Sequence, residues 1–290
     1  MKPVLADLLA MLRLERIEQH LFRGQSQDLG WGAVFGGQVL GQALSAAEQT
    51  VPADRFPHSL HAYFLRRGDA SQPIVYEVDP IRDGHSFTTR RVVAVQGGKA
   101  IFNLSASFHV EEPGFTHQAR MPIVAGPEGL KSIRELSIER AAKLPPGLAA
   151  MATGDRPIEI RPITRHNPLD PEAGPPQRLL WYRAIDRLPD DPRLHAYLLA
   201  YASDSHFIGT ALEPHAVSYL TPGMQVASLD HAMWFHRPFR LDEWLLYVVD
   251  SPSASGSCGL VRGQFFRRDG TLVASTAQEG LMRQRAPAAR

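Results

Sequence analysis

One order of segments occurs twice along the chain, and it limits the folds that the chain can adopt. In each half, a strand-like segment precedes a helix-like segment, and four more strand-like segments follow. The helix-like segment of the first half, 36–47, has the sequence GGQVLGQALSAA. Its small residues allow a helix to lie close against a sheet. A helix followed by an antiparallel meander therefore predicts two α+β units, each a sheet wrapped around a central helix.

The segments are assigned from hydrophobic periodicity and from turn residues. The strand-like segments of the first half are Ile17–Gln25, His58–Leu65, Ile74–Val78, Thr89–Gln96 and Ala100–Val110. The second half is predicted to have a helix at Leu194–Leu212 and strands at Leu179–Ala184, Ala227–His236, Trp244–Val249, Leu260–Arg267 and Thr271–Met282. Ten of the 23 prolines lie between Pro145 and Pro192, which indicates connecting structure there. We predict an N-terminal unit at 1–115, a connecting segment at 116–154 and a C-terminal unit at 155–290.

The two halves can be aligned at an offset of 170 residues. At this offset the sequence HAYF of 61–64 falls on HAMW of 231–234. Identities are few, but the matched order of segments favours duplication. Two paired units then predict one sheet that runs edge to edge through both.

Composition excludes several classes of function. The formal net charge is +1 and 44% of residues are hydrophobic, which argues against disorder and against a nucleic-acid partner. Cys258 is the only cysteine, so an intrachain disulfide framework is impossible. Apolar runs stay far below the roughly 18 residues that cross a bilayer. We expect a soluble, cytoplasmic protein without a membrane span.

Familiar catalytic motifs are missing from the sequence. No G-x-S-x-G occurs, and the close histidine pairs His58/His61 and His231/His236 lack the H-E-x-x-H spacing. Within a regular strand, His58 and His61 would point to opposite faces. We therefore expect no metal site.

Six segments, in order along nearly the whole chain, carry a family resemblance. They are VFGGQVLGQAL (34–44), HSLHAYFL (58–65), RDGHSF (82–87), LLAYASD (198–204), SLDHAMWFH (228–236) and AQEGLMR (277–283). In these segments the chain resembles the acyl-CoA thioesterase II family, the double-hotdog hydrolases of bacteria and peroxisomes. The resemblance implies two tandem hotdog units that form a pseudo-dimer in one chain. It also implies a homo-oligomer, a tetramer or dimer.

The resemblance implies that fatty acyl-CoA is hydrolysed to free fatty acid and coenzyme A by direct attack of an activated water, without a cofactor. The catalytic trio of the family maps onto Asp204, Ser228 and Gln278. An Asp can accept a proton from water, while a Ser and a Gln supply donors and acceptors that orient it. For the substrate or the oxyanion, we name Gly37 and Gln38 at the start of the first helix, and His58.

The first half is predicted to lack all three catalytic groups. At the offset of 170, Ser228 falls on His58, and at 171–172 Gln278 falls on Ala106 or Ser107. Aligning the helices places Asp204 on Ala46. One working site per chain is therefore expected.

Two other functions stay open at this point. A hotdog enoyl-CoA hydratase or dehydratase would need a His paired with an acidic residue, but Asp230 and His231 are adjacent in a strand and point apart. A non-catalytic acyl-CoA-binding protein would not need the trio. The candidates for coenzyme A phosphates are Arg66, Arg67, Arg90, Arg91, Arg237 and Arg240.

Overall fold

The computed structural model describes residues 1–144, 146–164 and 166–285. Its helices are α1 (Pro3–Leu12), α2 (Gly36–Glu48), α3 (Ile133–Arg140), α4 (Pro146–Thr153) and α5 (Pro192–Ser203). The strands of the first half are β1 (Glu15–Glu18), β2 (Leu21–Gly24), β3 (Arg55–Phe64), β4 (Ile74–Asp83), β5 (Phe87–Gln96) and β6 (Lys99–Val110). Those of the second half are β7 (Ile158–Pro162), β8 (Gln177–Ala184), β9 (Met224–Ser228), β10 (Asp230–Phe235), β11 (Leu245–Ser255), β12 (Cys258–Arg267) and β13 (Leu272–Gln284).

All of these strands lie in one antiparallel sheet. Its order is β1-β2-β4-β5-β6-β3-β10-β13-β12-β11-β8-β7, and β9 also pairs with β13. The order of the first six strands is mirrored in the last six, so that β3 and β10 join the two halves at the centre. This is the double-hotdog arrangement, an α+β fold, and the prediction of one edge-to-edge sheet is confirmed.

The two long helices pack against each other in antiparallel orientation. Gly41 of α2 lies against the carbonyl oxygen of Tyr197, and Gly37 lies against that of Tyr201 in α5. Small residues on α2 permit this approach, because a side chain at either glycine would meet the backbone of the partner helix. Both helices and the inner faces of both sheet halves share one buried apolar core.

Between the two units the chain forms α3, a short 3-10 turn and α4. Ser132 caps α3 by accepting a hydrogen bond from the Glu135 amide, while the Glu135 side chain accepts one from the Ser132 amide. The boundaries of the predicted units stay a prediction, and residues 286–290 lie outside the described part of the chain. No helix among the described residues is long and apolar enough to span a membrane.

Three predicted elements are interrupted in the structure, two of them by a turn. The strand expected at Ile17–Gln25 is the hairpin of β1 and β2, which turns at Gln19 and His20. The helix expected at Leu194–Leu212 ends at Ser203, and a 3-10 segment follows at Ile208–His215. Between them His206 adopts a positive φ of 60°, which an α-helix cannot accommodate. The helix prediction was wrong at this point, and the break places Asp204 at a helix end.

The strand expected at Ala227–His236 is divided by a β-bulge at Leu229. Ser228 pairs with Gly280, whereas Ala232 pairs with Ala277, so β9 and β10 follow β13 in registers that differ by one residue. The first half has the same irregularity at His58, between Pro57 and Ser59. A bulge shifts the alternation of side chains by one residue.

The observed registers correct the alignment of the two halves. Tyr76 of β4 pairs with Ala94 of β5, and in the equivalent strands of the second half Tyr247 of β11 pairs with Phe265 of β12. Equivalent residues are therefore 171 positions apart, and not 170. Since side chains alternate between the faces of a sheet, an error of one residue exchanges inside for outside. Ser228 corresponds to Pro57, not to His58.

Candidate active site

Asp204 lies where the ends of the two long helices meet. It is the C-cap residue of α5, the position that Gln49 holds in α2, so the predicted match of Asp204 with Ala46 inside α2 is wrong. The backbone N–H of Gly37, at the N-terminus of α2, faces the Asp204 carboxylate and acts to lower its pKa. The positive end of α2 therefore faces this negative charge, which favours its ionised form.

Ser228 owes its orientation to the bulge at Leu229. On β9 Val226 packs against the core and Ser228 shares its face, whereas on β10 the buried residues are His231 and Met233. The bulge thus places the side chains of Ser228 and His231, three residues apart, on the same side of the sheet. The Ser228 hydroxyl donates to Asp204 Oδ1 at 3.3 Å.

Gln278 lies on the inner face of β13 and is fully buried. Its Nε2 donates to Ser228 Oγ at 2.7 Å, and its side chain also stabilises the ionised form of Asp204. Carboxylate, hydroxyl and amide thus form one hydrogen-bonded chain built from the end of α5, β9 and β13. The structure brings the three predicted catalytic residues together.

The electrostatics of this chain centre on Asp204. Burial raises the pKa of Asp204 above its ordinary value of 3.8, while His231, Gln278, Ser228 and the Gly37 amide act in the opposite direction. A carboxylate whose pKa is raised toward neutrality is a stronger base than one in water. The site can therefore take a proton from a water molecule held beside it.

The other predicted site residues occupy different places. Gly37 contacts Asp204, as described above. Gln38 is buried, but its amide NH2 donates to Gln25 O and Gln42 Oε1, and its backbone N–H donates to Phe35 O. The hydrogen bonds of Gln38 therefore fix the segment that precedes α2.

His58 lies on the outer face of the sheet, away from the trio. Its Nε2 is 2.8 Å from Ser107 Oγ, and its ring packs against Phe87 and His109. The bulge also places His58 on the same face as the exposed His61, so the expectation that they point apart was wrong.

Three of the six candidate arginines already pair with carboxylates. Arg90 pairs with Asp83, Arg91 with Asp79, and Arg240 with Asp242. The others donate to backbone carbonyl oxygens, Arg66 to Ala100, Arg67 to Trp31 and Arg237 to Leu272. The geometry thus favours the second group over the first as phosphate ligands.

The corresponding place in the first half is filled differently. Ala106 stands at the position of Gln278, and Arg90 stands at that of Val261 beside it. Arg90 is 3% exposed, and its guanidinium donates to Thr50 Oγ1 at 2.9 Å and to Asp83 Oδ1 at 2.7 Å. A buried, fully engaged arginine thus lies beside the position where the second half has Gln278.

Sequence reasoning missed one residue of this site, His231. It is buried beside Gln278, although it was considered only as a metal ligand or as half of an Asp-His pair. The sequence did offer a signal, because His231 alternates with apolar residues as a residue of the inner face would. The bulge at Leu229 could not be predicted, so the face on which His231 lies could not be predicted either.

The fold and this site together define a class: a double-hotdog protein with a hydrolase-type carboxylate, hydroxyl and amide in its second unit. Comparisons with known proteins agree. The family model described as "Acyl-CoA thioesterase" matches residues 148–281, and that described as "Acyl-CoA thioesterase N-terminal domain" matches residues 26–109.

Full-length relatives carry the same description. The chain is 44% identical to Acyl-CoA thioesterase 2 of Haemophilus influenzae, with 98% of this chain and 99% of that protein covered. It is 41% identical to Acyl-coenzyme A thioesterase 8 of Homo sapiens, covering 94% of this chain and 88% of that protein. The crystal structure of an acyl-CoA thioesterase II, TesB2, from Mycobacterium marinum superimposes with a TM-score of 0.78 at 42% identity, covering 96% and 99% of the two chains. The chain belongs to the acyl-CoA thioesterase family.

Proposed function

We propose that the chain hydrolyses fatty acyl-CoA to free fatty acid and coenzyme A by direct attack of a water that Asp204 activates. The observation that carries this proposal is the hydrogen-bonded chain from Gln278 through Ser228 to Asp204. Membership of the acyl-CoA thioesterase family supports the substrate class.

In this mechanism the Asp204 carboxylate removes a proton as the water oxygen attacks the thioester carbonyl carbon. The C–O bond forms and the electron pair of the carbonyl moves onto its oxygen. When the tetrahedral intermediate collapses, the C–S bond breaks and the proton passes from Asp204 to the thiolate of coenzyme A. Atoms and charge balance with no covalent acyl-enzyme.

Ser228 and Gln278 act on the same water. One N–H of the Gln278 amide donates to Ser228, and the amide also favours the ionised form of Asp204, so it can orient a water held between these groups. The N-terminus of α2 supplies a positive dipole end for the developing oxyanion, at the place where we predict Gly37 to act.

One working site per chain follows from the asymmetry of the two halves. The first unit presents Pro57 and Ala106 at the positions of Ser228 and Gln278, and Gln49 at that of Asp204. None of these three residues supplies a carboxylate base.

A thiol-trapping assay tests the proposal. The Cys258→Ala protein is used throughout, so that the protein's own thiol does not react with the dye. Incubation with acyl-CoAs of short to long chain should release coenzyme A. Gln278→Ala should lower turnover at least about 10²-fold, while Ser275→Ala, on the outer face of the same strand, should leave it unchanged. Loss of enoyl-CoA absorbance without thiol would favour a hydratase, and saturable binding without product would favour a binding protein.

We also propose that the enzyme is cytoplasmic and forms a homo-oligomer, as the sequence predicts. Light scattering coupled to gel filtration measures the second property, and cell fractionation measures the first. A monomer, or recovery outside the cytoplasmic fraction, would contradict the respective statement.

A further inference from the structure

His231 connects the catalytic trio to the body of α5. It is 1% exposed, and its Nδ1 lies 2.5 Å from Gln278 Oε1 while its Nε2 lies 3.0 Å from the hydroxyl of Ser203. Both ring nitrogens are thus engaged by side chains. Within the described residues, the ring makes no hydrogen bond to Asp204 or Ser228, so any effect through hydrogen bonds on these two groups passes through Gln278.

The direction of these hydrogen bonds decides which way the Gln278 amide points. If His231 Nδ1 carries the proton, it donates to Gln278 Oε1, and the amide NH2 must face Ser228. If instead the ring accepted at Nδ1, the amide would turn over and present its oxygen to the Ser228 hydroxyl. The Ser228 proton would then be drawn away from Asp204.

The surroundings favour the first arrangement. An ionised Asp204 attracts the Ser228 proton more strongly than a neutral amide oxygen does, because charge-assisted hydrogen bonds are about twice as strong. Burial also lowers the pKa of His231, so a neutral ring carries one proton to place. The Ser203 hydroxyl also lies 2.9 Å from the carbonyl oxygen of Ala200, and in the proposed arrangement its one proton turns from that carbonyl to the unprotonated Nε2 of the ring.

The first unit offers an internal comparison. The pair Leu60 and Ala106 stands at the register positions of His231 and Gln278. Where the catalytic amide is missing, the histidine is missing as well. A histidine needed only to fill the core would have no reason to follow the amide.

We propose that His231 is a positioning residue for the reaction: its Nδ1–H holds the Gln278 amide in the one orientation that leaves the Ser228 hydroxyl to Asp204. This inference rests on the proposed function, since it concerns how that site is kept in order. Misplacing a catalytic group by about 1 Å can cost about 10²-fold in rate.

Two variants at this position separate positioning from packing. In His231→Asn the side-chain NH2 can replace the ring Nδ1–H, whereas His231→Leu fills similar space without a donor. We expect His231→Leu to lower kcat about 10- to 100-fold with KM within about threefold. His231→Asn should recover turnover to within about fivefold of wild type. His195→Leu is the control, because His195 is also buried but binds the backbone N–H of Leu241.

The decisive experiment is a double-mutant cycle with Gln278→Ala, with folding checked by thermal melting. If His231 acts through Gln278, His231→Leu should have no further effect on kcat in the Gln278→Ala background. His195→Leu should affect kcat less than about twofold in either background, measured per folded enzyme.

The failures of this inference and of the proposed function are distinguishable. Multiplying losses in the double mutant, or a His231→Asn enzyme as impaired as His231→Leu, would overturn the positioning role while hydrolysis by the wild type stands. Wild-type turnover in Gln278→Ala would overturn both the role of Gln278 and that of His231. Absence of hydrolysis in the wild-type protein would contradict the proposed function itself.

Discussion

The role that we propose for Asp204 depends on its place between two helix ends as well as on its carboxylate. An aspartate after a helix is usually a solvated cap, and the residue pattern alone would not distinguish it. Here the Gly37 amide, the Ser228 hydroxyl and the Gln278 amide converge on a carboxylate that burial makes more basic. The family resemblance identified Asp204, but its contacts depend on the interrupted helix and the bulge, which leave no clear signal in the sequence.

The pH dependence of the reaction should report this environment. Asp204 must be ionised to act as a base, and burial raises its pKa, so kcat/KM should fall as pH drops through an apparent pKa above 3.8. Because His231 interacts with Asp204, that apparent pKa belongs to the pair. Ser228→Ala removes a hydroxyl that favours the ionised form and should move the acid limb to higher pH. A limb that stays at the ordinary carboxyl value, or moves down in Ser228→Ala, would contradict this account.

The single thiol and metal ions should be dispensable. The proposed chemistry uses a carboxylate, a hydroxyl and an amide, and Cys258, the first residue of β12, pairs with Leu281 and not with a residue of the trio. Cys258→Ala and treatment with a strong chelator should each leave turnover within a few-fold of normal. Loss of activity with the chelator that a specific divalent ion restores would show that a metal had been overlooked.

The elements that build the site could be predicted unequally well. The small residues of α2 and the alternating patterns of β4, β5 and β6 fix their positions from the sequence. The break after Ser203 depends on a positive φ at His206, and the bulges at His58 and Leu229 depend on pairing with β6 and β13. A bulge is defined by the partner strand and leaves no pattern in the sequence of its own strand. The bulges therefore could not be predicted, and the offset of 170 was wrong by one residue.

The close approach of α2 and α5 gives a prediction for an element. A Cβ at Gly37 would clash with the Tyr201 carbonyl oxygen and with the Phe35 ring. Gly37→Ala should lower stability by about 1–3 kcal/mol through overpacking. It should also lower turnover, because the Gly37 N–H must move away from Asp204.

Thermal melting and kcat of Gly37→Ala test this, with Gly114→Ala as the control. Apart from its chain neighbours, no residue that the structure describes has an atom within 4 Å of a Cβ at Gly114. Unchanged melting temperature and kcat in Gly37→Ala would show that the helices yield more readily than the structure indicates.

At the scale of the molecule, the two similar units form one scaffold, and only the second unit carries the trio. The sheet continues through β3 and β10, and both central helices share one core, so each unit supports the other. The N-terminus of α2 in the first unit faces the Asp204 of the second. The first unit therefore contributes to the site although it lacks the trio.

This asymmetry predicts the stoichiometry of inhibition. A non-hydrolysable thioether analogue of acyl-CoA should abolish activity when one equivalent is bound per chain, as measured by calorimetry alongside the thiol-trapping assay. In the first unit Arg90 is buried next to Ala106, which stands at the position of Gln278, so the groups needed for a second site of this kind are missing there. A requirement for two equivalents per chain would mean that both units turn over substrate.

The central claim is that Asp204 activates the water that hydrolyses the thioester, and Asp204→Asn tests it most directly. Asn is close in size to Asp but cannot accept the proton, and the loss of a positioned base costs about 10²–10⁴-fold in rate. The measurement is kcat on a good acyl-CoA substrate, with the folded state verified by circular dichroism and melting. A loss of that size is the predicted result. Turnover near that of the wild type in the folded variant would contradict the account.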